Sequence, residues 1–462
     1  DCMLRHWLLQ SGIPLSSYLG FPPGKAAKLL RDSQKWTSEE MKFHQNESLS
    51  TLMRHCYDHV PYYRDLMEAR RLRPEDFQSI DDLAKLPYLT RETIREQGAR
   101  LRADNYPDNI CQFRRSGGTT GEPIKVAVDD RGRAFEVAAY LRGLEWMNYQ
   151  LGNPTVGLFG GSLGLKAKPN VRDKIRDILL NARFLPAFEL NQENVNFYID
   201  TIRQAKGGVL VGYASAMMNL VEYMCRTGLQ GSPLKSVICT ADHLPDEWRK
   251  RISQVLDAPV FCYYGCGEVN SIAYECSGVE GYIVSEECVI LEVAVAEGAT
   301  KFQDQGRGEA CVTTLFNYAM PLIRYRNGDV VELDRSDCES RRLKIAKLEG
   351  RVLDQLTATD GHRVSGILPS HLVFKSGVPI WKYQIVQVEK DKIVFHYLMS
   401  DGNVFTPLMK ETLTDVFRRY LGYNMNISFM LGEFEVPPSG KHRFVINRSQ
   451  SQGRVASSAA AP

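Results

Sequence analysis

Between Arg115 and Ile124 the chain reads Arg-Ser-Gly-Gly-Thr-Thr-Gly-Glu-Pro-Ile, with three glycines and two threonines inside the seven residues 116–122. Glycines let successive backbone N–H groups turn toward anionic oxygens, and the Ser and Thr hydroxyls add donors on the same side. The chemistry such a loop suits is the wrapping of an oligophosphate. It is not a Walker A loop, because no Gly-Lys-Ser/Thr follows the glycines. Standing alone, an ordinary polar turn would be the better reading of it.

Four more segments follow it in order: Tyr263-Tyr-Gly-Cys-Gly-Glu268, Leu322-Ile-Arg-Tyr-Arg-Asn-Gly-Asp329, Leu348-Glu-Gly-Arg-Val-Leu-Asp354 and Pro438-Ser-Gly-Lys441. Together the five resemble the adenylate-forming superfamily of acyl-CoA synthetases, and more narrowly its branch of phenylacetate-CoA ligases and CapK-like capsule-biosynthesis proteins. The narrower likeness rests on Ser116–Pro123, on Tyr264-Gly265 leading to Glu268 and Ala273-Tyr-Glu-Cys276, and on His59-Val-Pro-Tyr-Tyr-Arg64. It extends from about Leu52 to about Arg443.

The resemblance implies an AMP-forming ligase that uses ATP, Mg²⁺ and coenzyme A. A carboxylate oxygen must displace pyrophosphate at the α-phosphorus, so the protein has to neutralise like charges and fix geometry. By position in the motifs, Ser116, Gly117, Gly118, Thr119, Thr120 and Gly121 would hold the β- and γ-phosphates. Glu268 would act in catalysis as the carboxylate that helps hold Mg²⁺, a cation that prefers oxygen ligands shared with phosphates. Asp329 and Arg351 would contact the ribose. Tyr263, Tyr264 and Gly265 would face the adenine, and Asp242 in Thr240-Ala-Asp-His-Leu244 its amino group. Lys441 would be the mobile catalytic lysine bridging the substrate carboxylate and the α-phosphate, a task that suits a compact charge on a flexible stem. Tyr213, Ala214, Ser215, Ile272 and Ala273 would line the acid pocket.

Each of these residues also has a plain structural reading. Glu268 fits an exposed loop carboxylate, Asp329 a turn before Val330-Val-Glu-Leu333, Arg351 a surface ion pair, and the two tyrosines a core position. The order of the motifs favours the functional reading. The chain departs from the family at Leu353, where many relatives carry the first of two acidic residues that serve as the hinge of the small lobe; only Asp354 remains. Gly361-His-Arg-Val364 resembles the segment that lobe swings in for the second half-reaction.

The elements that would carry these residues can be read from periodicity. Residues 25–100 look helical, with Met53, Cys56, Val60 and Tyr63 at helix-like spacing and Pro61 interrupting them. Further on, β-rich runs (Thr155–Phe159, Gly208–Val211, Ser236–Thr240, Pro259–Tyr264, Cys288–Val295, Glu309–Leu315) alternate with helical ones (Asn194–Gln204, Ala216–Thr227), which argues for an α/β fold with a mostly parallel sheet. After Arg351 a hairpin about Lys390-Asp391 precedes a helix with the stripe Leu413, Val416, Phe417, Tyr420 and Leu421, Gly422 at its C-cap, and a strand over Asn426–Leu431. The expected organisation is a large N-terminal domain of mixed/parallel sheets and helices over residues 1–352, helical to about residue 100. A small mobile α+β domain follows over 353–448, and a frayed tail over 449–462.

The totals agree with a globular enzyme. At 462 residues the chain is long enough for two or three domains, and 57 Lys and Arg against 55 Asp and Glu leave a net charge of +2, which implies no nucleic-acid surface. No segment has the apolar length of a membrane span. Eleven cysteines without a recognisable leader suit reduced thiols in a cytoplasm. Cys262, Cys266, Cys276 and Cys288 crowd the acidic segment, but no Cys-x-x-Cys pair occurs among them and small buried thiols explain them better than zinc. The first reading of function is therefore activation of an organic acid, an aromatic one among the candidates, followed by transfer to coenzyme A. Alternatives pass the acyl group to a carrier-protein thiol or an amine, or keep the fold as a non-catalytic nucleotide-binding pseudoenzyme. A homodimer is implied by the branch.

Overall fold

The computed structural model of the chain describes residues 24–115, 124–159, 177–178, 180–187, 190, 194–241, 244–294, 301–335, 342–351, 356–361, 363–364, 369, 372–373, 376–399, 403–435 and 443–449; for Arg115, Arg226, Arg351, Arg363 and Trp381 it describes the backbone alone. Helix α1 (Gly24–Asp32) leads to α2 (Ser38–His59). Thr37 and Glu40 cap α2 reciprocally, each side chain accepting from the other's backbone N–H. Met41, Leu49, Leu52, Met53 and Cys56 form its buried stripe. Pro61 cannot continue a helix, so Val60 turns extended and Pro61 becomes the first residue of α3 (Pro61–Ala69). Helix α4 (Arg91–Gln97) starts after Thr90, whose hydroxyl accepts from Thr93 N.

Strands β1 (Gln112–Arg115) and β2 (Lys125–Val128) form an antiparallel ribbon with Arg115 opposite Lys125. Helix α5 (Asp130–Trp146) follows, capped by Asp129, whose second oxygen accepts from the backbone of Tyr318 and Ala319. Next come β3 (Thr155–Phe159), β4 (Ala182–Pro186), α6 (Val195–Gln204), β5 (Val209–Tyr213), α7 (Ala214–Thr227), β6 (Ser236–Thr240), α8 (Asp246–Leu256) and β7 (Val260–Tyr264). In the order β4-β3-β5-β6-β7 these strands are parallel. Every residue of β5 and β6 is buried, as expected of strands covered on both faces.

The sheet then changes character. Strands β8 (Ala273–Cys276), β9 (Val279–Val284), β10 (Val289–Ala294), β11 (Gly306–Thr314), β12 (Tyr325–Asp334) and β13 (Lys344–Arg351) extend it to eleven strands in the order β4-β3-β5-β6-β7-β8-β9-β13-β12-β11-β10. The pairs β7/β8, β8/β9, β9/β13 and β10/β11 are antiparallel, so the sheet is mixed, in keeping with the mixed/parallel architecture expected of the large domain, and only its β4-to-β7 half is the parallel sheet that the alternating runs pointed to. The cause is local: Ser277-Gly278, with Gly278 at φ +80°, folds β8 back onto β9 in a two-residue turn that leaves no length for a helical crossover. Helix α5 lies close on β8 because Gly143 has no side chain; a Cβ there would stand 2.1 Å from the Tyr274 ring. The N-terminal helices are tied to the later strands by Gln45 Nε2, which donates to Glu286 O and Val289 O, and by Tyr63, whose hydroxyl donates to Pro321 O and accepts from Ile323 N.

Near Leu348–Glu349 a second compact unit begins, a few residues ahead of the 352/353 boundary expected from the motifs. Pro245–Arg249 and Gly328–Val330 group with it. Beside the short pair β14 (Leu356–Thr357) and β15 (Arg363–Val364), it is built on β16 (Ile380–Glu389) and β17 (Lys392–Met399), an antiparallel hairpin about Lys390-Asp391. Helix α9 (Pro407–Leu421) crosses the hairpin, and β18 (Asn426–Leu431) and β19 (Val445–Asn447) flank it in parallel, giving the order β18-β17-β16-β19. Leu413, Phe417 and Leu421 of α9 enter a core with Ile385, Ile393, Phe395 and Val445, whereas Tyr420 is largely exposed. Gly422 ends the helix at φ +103°, and a Cβ there would fall 1.9 Å from Thr359 Oγ1, so only glycine fits. Among the described residues no helix is long and apolar enough to cross a membrane.

Candidate active site

In the parallel half of the sheet, the register sets Tyr213 of β5 against Thr240 of β6, and Thr240 against Tyr263 of β7, all at the strands' carboxyl ends. That edge is where open α/β sheets place their ligands. Side chains alternate along β7, so Tyr263 and Tyr264 point to opposite faces. Tyr263 packs among aromatic neighbours, 5.6 Å from the ring of Tyr140 and 5.6 Å from that of Tyr274. Burial pushes its phenol up to about 12, against hydrogen bonding from Thr240 and Tyr140. Tyr264 is buried, and its hydroxyl accepts from Asn327 Nδ2 at 2.7 Å. The expected pocket residues Tyr213, Ala214, Ile272 and Ala273 are buried, with Ser215 partly exposed; Tyr213 meets the ring of Phe159 edge-on.

Between β7 and β8 the chain makes a tight, internally bonded loop. Cys266 N donates to Val269 O at 2.8 Å and Ile272 N to Tyr264 O at 3.1 Å. Gly265 lets the turn close tightly, since a Cβ there would stand 3.1 Å from Ser271 N. Ser271 sits at φ +62°, unusual for a residue with a side chain, and its hydroxyl donates to Glu136 O at 3.0 Å, which anchors the strained turn to α5. In the orientation its neighbours dictate, the Asn270 amide donates to Cys266 O and accepts from Arg114 Nη1, each at 3.0 Å. Arg114 also donates to Glu136 Oε1 at 2.9 Å. Thus α5 joins the acidic loop to β1, the strand that leads into residues 116–123.

Glu268 stands in this loop with its side chain 1% exposed. Its Oε1 accepts from Arg91 Nη2 at 2.8 Å and from the Tyr325 hydroxyl at 3.1 Å, while Oε2 is buried with no hydrogen-bond partner among the described residues. Both donors are delivered by one strap: Leu89 N donates to Arg324 O and Arg326 N to Leu89 O, which fixes the start of α4 beside the start of β12. A buried carboxylate oxygen without a donor is costly, and an oxygen-seeking divalent cation that draws its other ligands from phosphates would complete it.

Asp329 is buried in β12, two residues beyond Asn327 and just after Gly328 at φ +89°. Arg351 ends β13, where its backbone alone is described. Ser116, Gly117, Gly118, Thr119, Thr120, Gly121, Asp242, Leu353, Asp354 and Lys441 lie outside the described residues. Among those described, no group of three or more His, Cys, Asp and Glu side chains could hold a metal ion, Cys262, Cys266, Cys276 and Cys288 included. Sequence reading missed Arg91, Tyr325, Asn327, Arg114 and Glu136. Arg91 had one signal, the Thr90 cap that starts a helix at it; nothing linear linked it to a residue 177 positions away.

Comparison with known proteins gives a consistent picture. The chain is 26% identical over 345 residues to a phenylacetate-coenzyme A ligase of Aromatoleum evansii, covering 71% of this chain and 74% of that one. It is 26% identical over 359 residues to the Escherichia coli protein of the same name, covering 72% and 75%. Protein CapK of Staphylococcus aureus is 22% identical over 417 residues, covering 87% and 88%. No family model matches. Among solved structures, a 2-hydroxyisobutyryl-CoA ligase in the postadenylation state superposes with a TM-score of 0.72 at 16% identity, over 92% of this chain and 94% of that one. With five motifs in family order, likeness over most of the chain and a shared fold, the protein is similar to the adenylate-forming ligases, and in sequence to the phenylacetate-CoA ligases and CapK among them.

Proposed function

We propose that the chain is an AMP-forming acid–thiol ligase, activating an organic carboxylic acid with ATP and passing the acyl group from the adenylate to coenzyme A. The observation that carries this reading is the half-satisfied carboxylate of Glu268 at the carboxyl edge of the sheet, beside a strand that leads into a Gly/Thr-rich segment. Mg²⁺ bound there would supply charge neutralisation for the departing pyrophosphate. Residues 116–121 hold the β- and γ-phosphates, Asp329 and Arg351 the ribose, and Tyr264, Gly265 and Asp242 the adenine. Lys441 brings a positive charge from the small domain to the carboxylate and α-phosphate as they react. That domain, residues 353–448, then turns to admit the thiol. Relatives named as phenylacetate-CoA ligases favour an aryl-acetic acid and coenzyme A as acceptor.

The test is product analysis over aryl, aryl-acetic and aliphatic acids. The expected result is AMP and pyrophosphate formed with one class of acid, and rapid discharge of the adenylate by coenzyme A in a single turnover. Discharge by a carrier-protein thiol or an amine instead would move the enzyme to thioester or amide biosynthesis. ADP as product would overturn the reading.

A further inference from the structure

Glu268 does not stand alone: its partner is a cation that the chain itself supplies. Arg91 contacts Oε1 at 2.8 Å, and its side chain is 15% exposed against 1% for Glu268, so the guanidinium is the solvent-facing member of the pair. A free divalent ion approaching Oε2 therefore gains one oxygen ligand and meets a fixed positive charge beside it. The same ion carried on a triphosphate arrives in a complex of net negative charge, which that positive charge attracts. Tyr325 supplies the second hydrogen bond to Oε1 without any charge, so it orients the carboxylate and discriminates nothing.

We infer that Arg91 is a specificity-determining residue that makes Glu268 accept a divalent cation only as its nucleotide complex and reject the free ion. This rests on the metal-binding reading of Glu268. It goes further in explaining why the ligand oxygen is left bare on one side of a carboxylate that is otherwise held firmly. Ordered entry follows, with metal and nucleotide arriving together, so that free cation does not occupy the phosphate site ahead of ATP.

The test is Mn²⁺ binding followed by electron paramagnetic resonance, with and without ATP, on the full chain. The wild type should show no Glu268-dependent Mn²⁺ site without nucleotide. Arg91→Gln, which keeps a donor and loses the charge, should gain such a site while binding Mn·ATP more weakly, each change being about tenfold, an ordinary size for coupling between two ligands. Arg91→Lys should behave as the wild type, and Tyr325→Phe, which keeps the charge of Arg91, should still show no site without nucleotide. Adding Glu268→Gln to Arg91→Gln should erase the gained site. If Glu268→Gln weakens Mn·ATP but Arg91→Gln changes neither affinity, the role of Arg91 is overturned and the metal reading stands. If Glu268→Gln leaves Mn·ATP binding unchanged, the metal reading itself fails. The wild-type arm needs no variant to fold: a Mn²⁺ site without nucleotide that Arg91 tolerates, tight as that for Mn·ATP, also sinks the proposal.

Discussion

Two buried glutamates, nineteen positions apart in sequence, are treated in opposite ways by the same large unit. Glu287 is saturated: Arg142 donates to both of its oxygens at 2.6 and 3.2 Å, Arg342 donates at 2.8 Å, and the Ser33 hydroxyl adds another bond. Arg342 also donates to Ser33 O, so the cluster clamps the segment after α1 against α5 and the entry to β13. Burial would raise the Glu287 carboxyl, but Arg142 and Arg342 outweigh it and hold it far below the usual carboxylate range. Among the described residues, Glu268 has two donors on one oxygen and none on the other. A carboxylate built for stability is closed on every side, and one built for a ligand keeps a vacancy that the fold has to support elsewhere.

The contrast can be broken most forcefully at the closed site. Glu287→Gln leaves two arginines buried with one neutral acceptor, and chemical denaturation should show a loss of about 3–5 kcal/mol; an unchanged midpoint would mean the cluster is ornamental. The sign with pH follows from the lowered carboxyl. Its stabilisation is present above the unfolded-state value of about 4.3 and is lost as pH falls toward the lower folded value, so acid unfolding should begin below about pH 5 and this component should vanish in Glu287→Gln. Gly143→Ala probes the support of the acidic loop, because its methyl group collides with the Tyr274 ring; a melting curve should report a cost of about 1–3 kcal/mol. Tyr325→Phe, which removes one bond to Oε1, should cost about 0.5–1.5 kcal/mol by the same measurement. Smallest of all should be Glu268→Gln, within about 1 kcal/mol of wild type, since the amide oxygen can still accept from Arg91 and Tyr325. A loss as large as that at Glu287 would erase the distinction between the two sites.

Much of the scaffold was legible in linear sequence. Thr155–Phe159 and Ser236–Thr240 form strands with the expected limits, because short apolar runs between turn signals in an α/β chain have few other fates. The hairpin about Lys390-Asp391, the helix capped by Gly422 and the strand Asn426–Leu431 also form as read. The antiparallel half was not legible as such, since Ser277-Gly278 was passed over as a hairpin turn. At the site, Glu268 was visible because a motif brackets it. Arg91 and Tyr325 were invisible because their meeting depends on a strap between Leu89 and Arg324–Arg326, a contact with no period or spacing to betray it. Asn327 and Glu136 escaped for the same reason. Asp329 was picked by its motif alone.

The central claim is that the bare oxygen of Glu268 serves adenylation, and acid-dependent exchange of labelled pyrophosphate into ATP tests it most directly. The account predicts exchange in the wild type that requires both the acid and a divalent cation, and a fall of about 10²–10³-fold in Glu268→Gln with the fold intact. Exchange at the wild-type rate in that variant would contradict it.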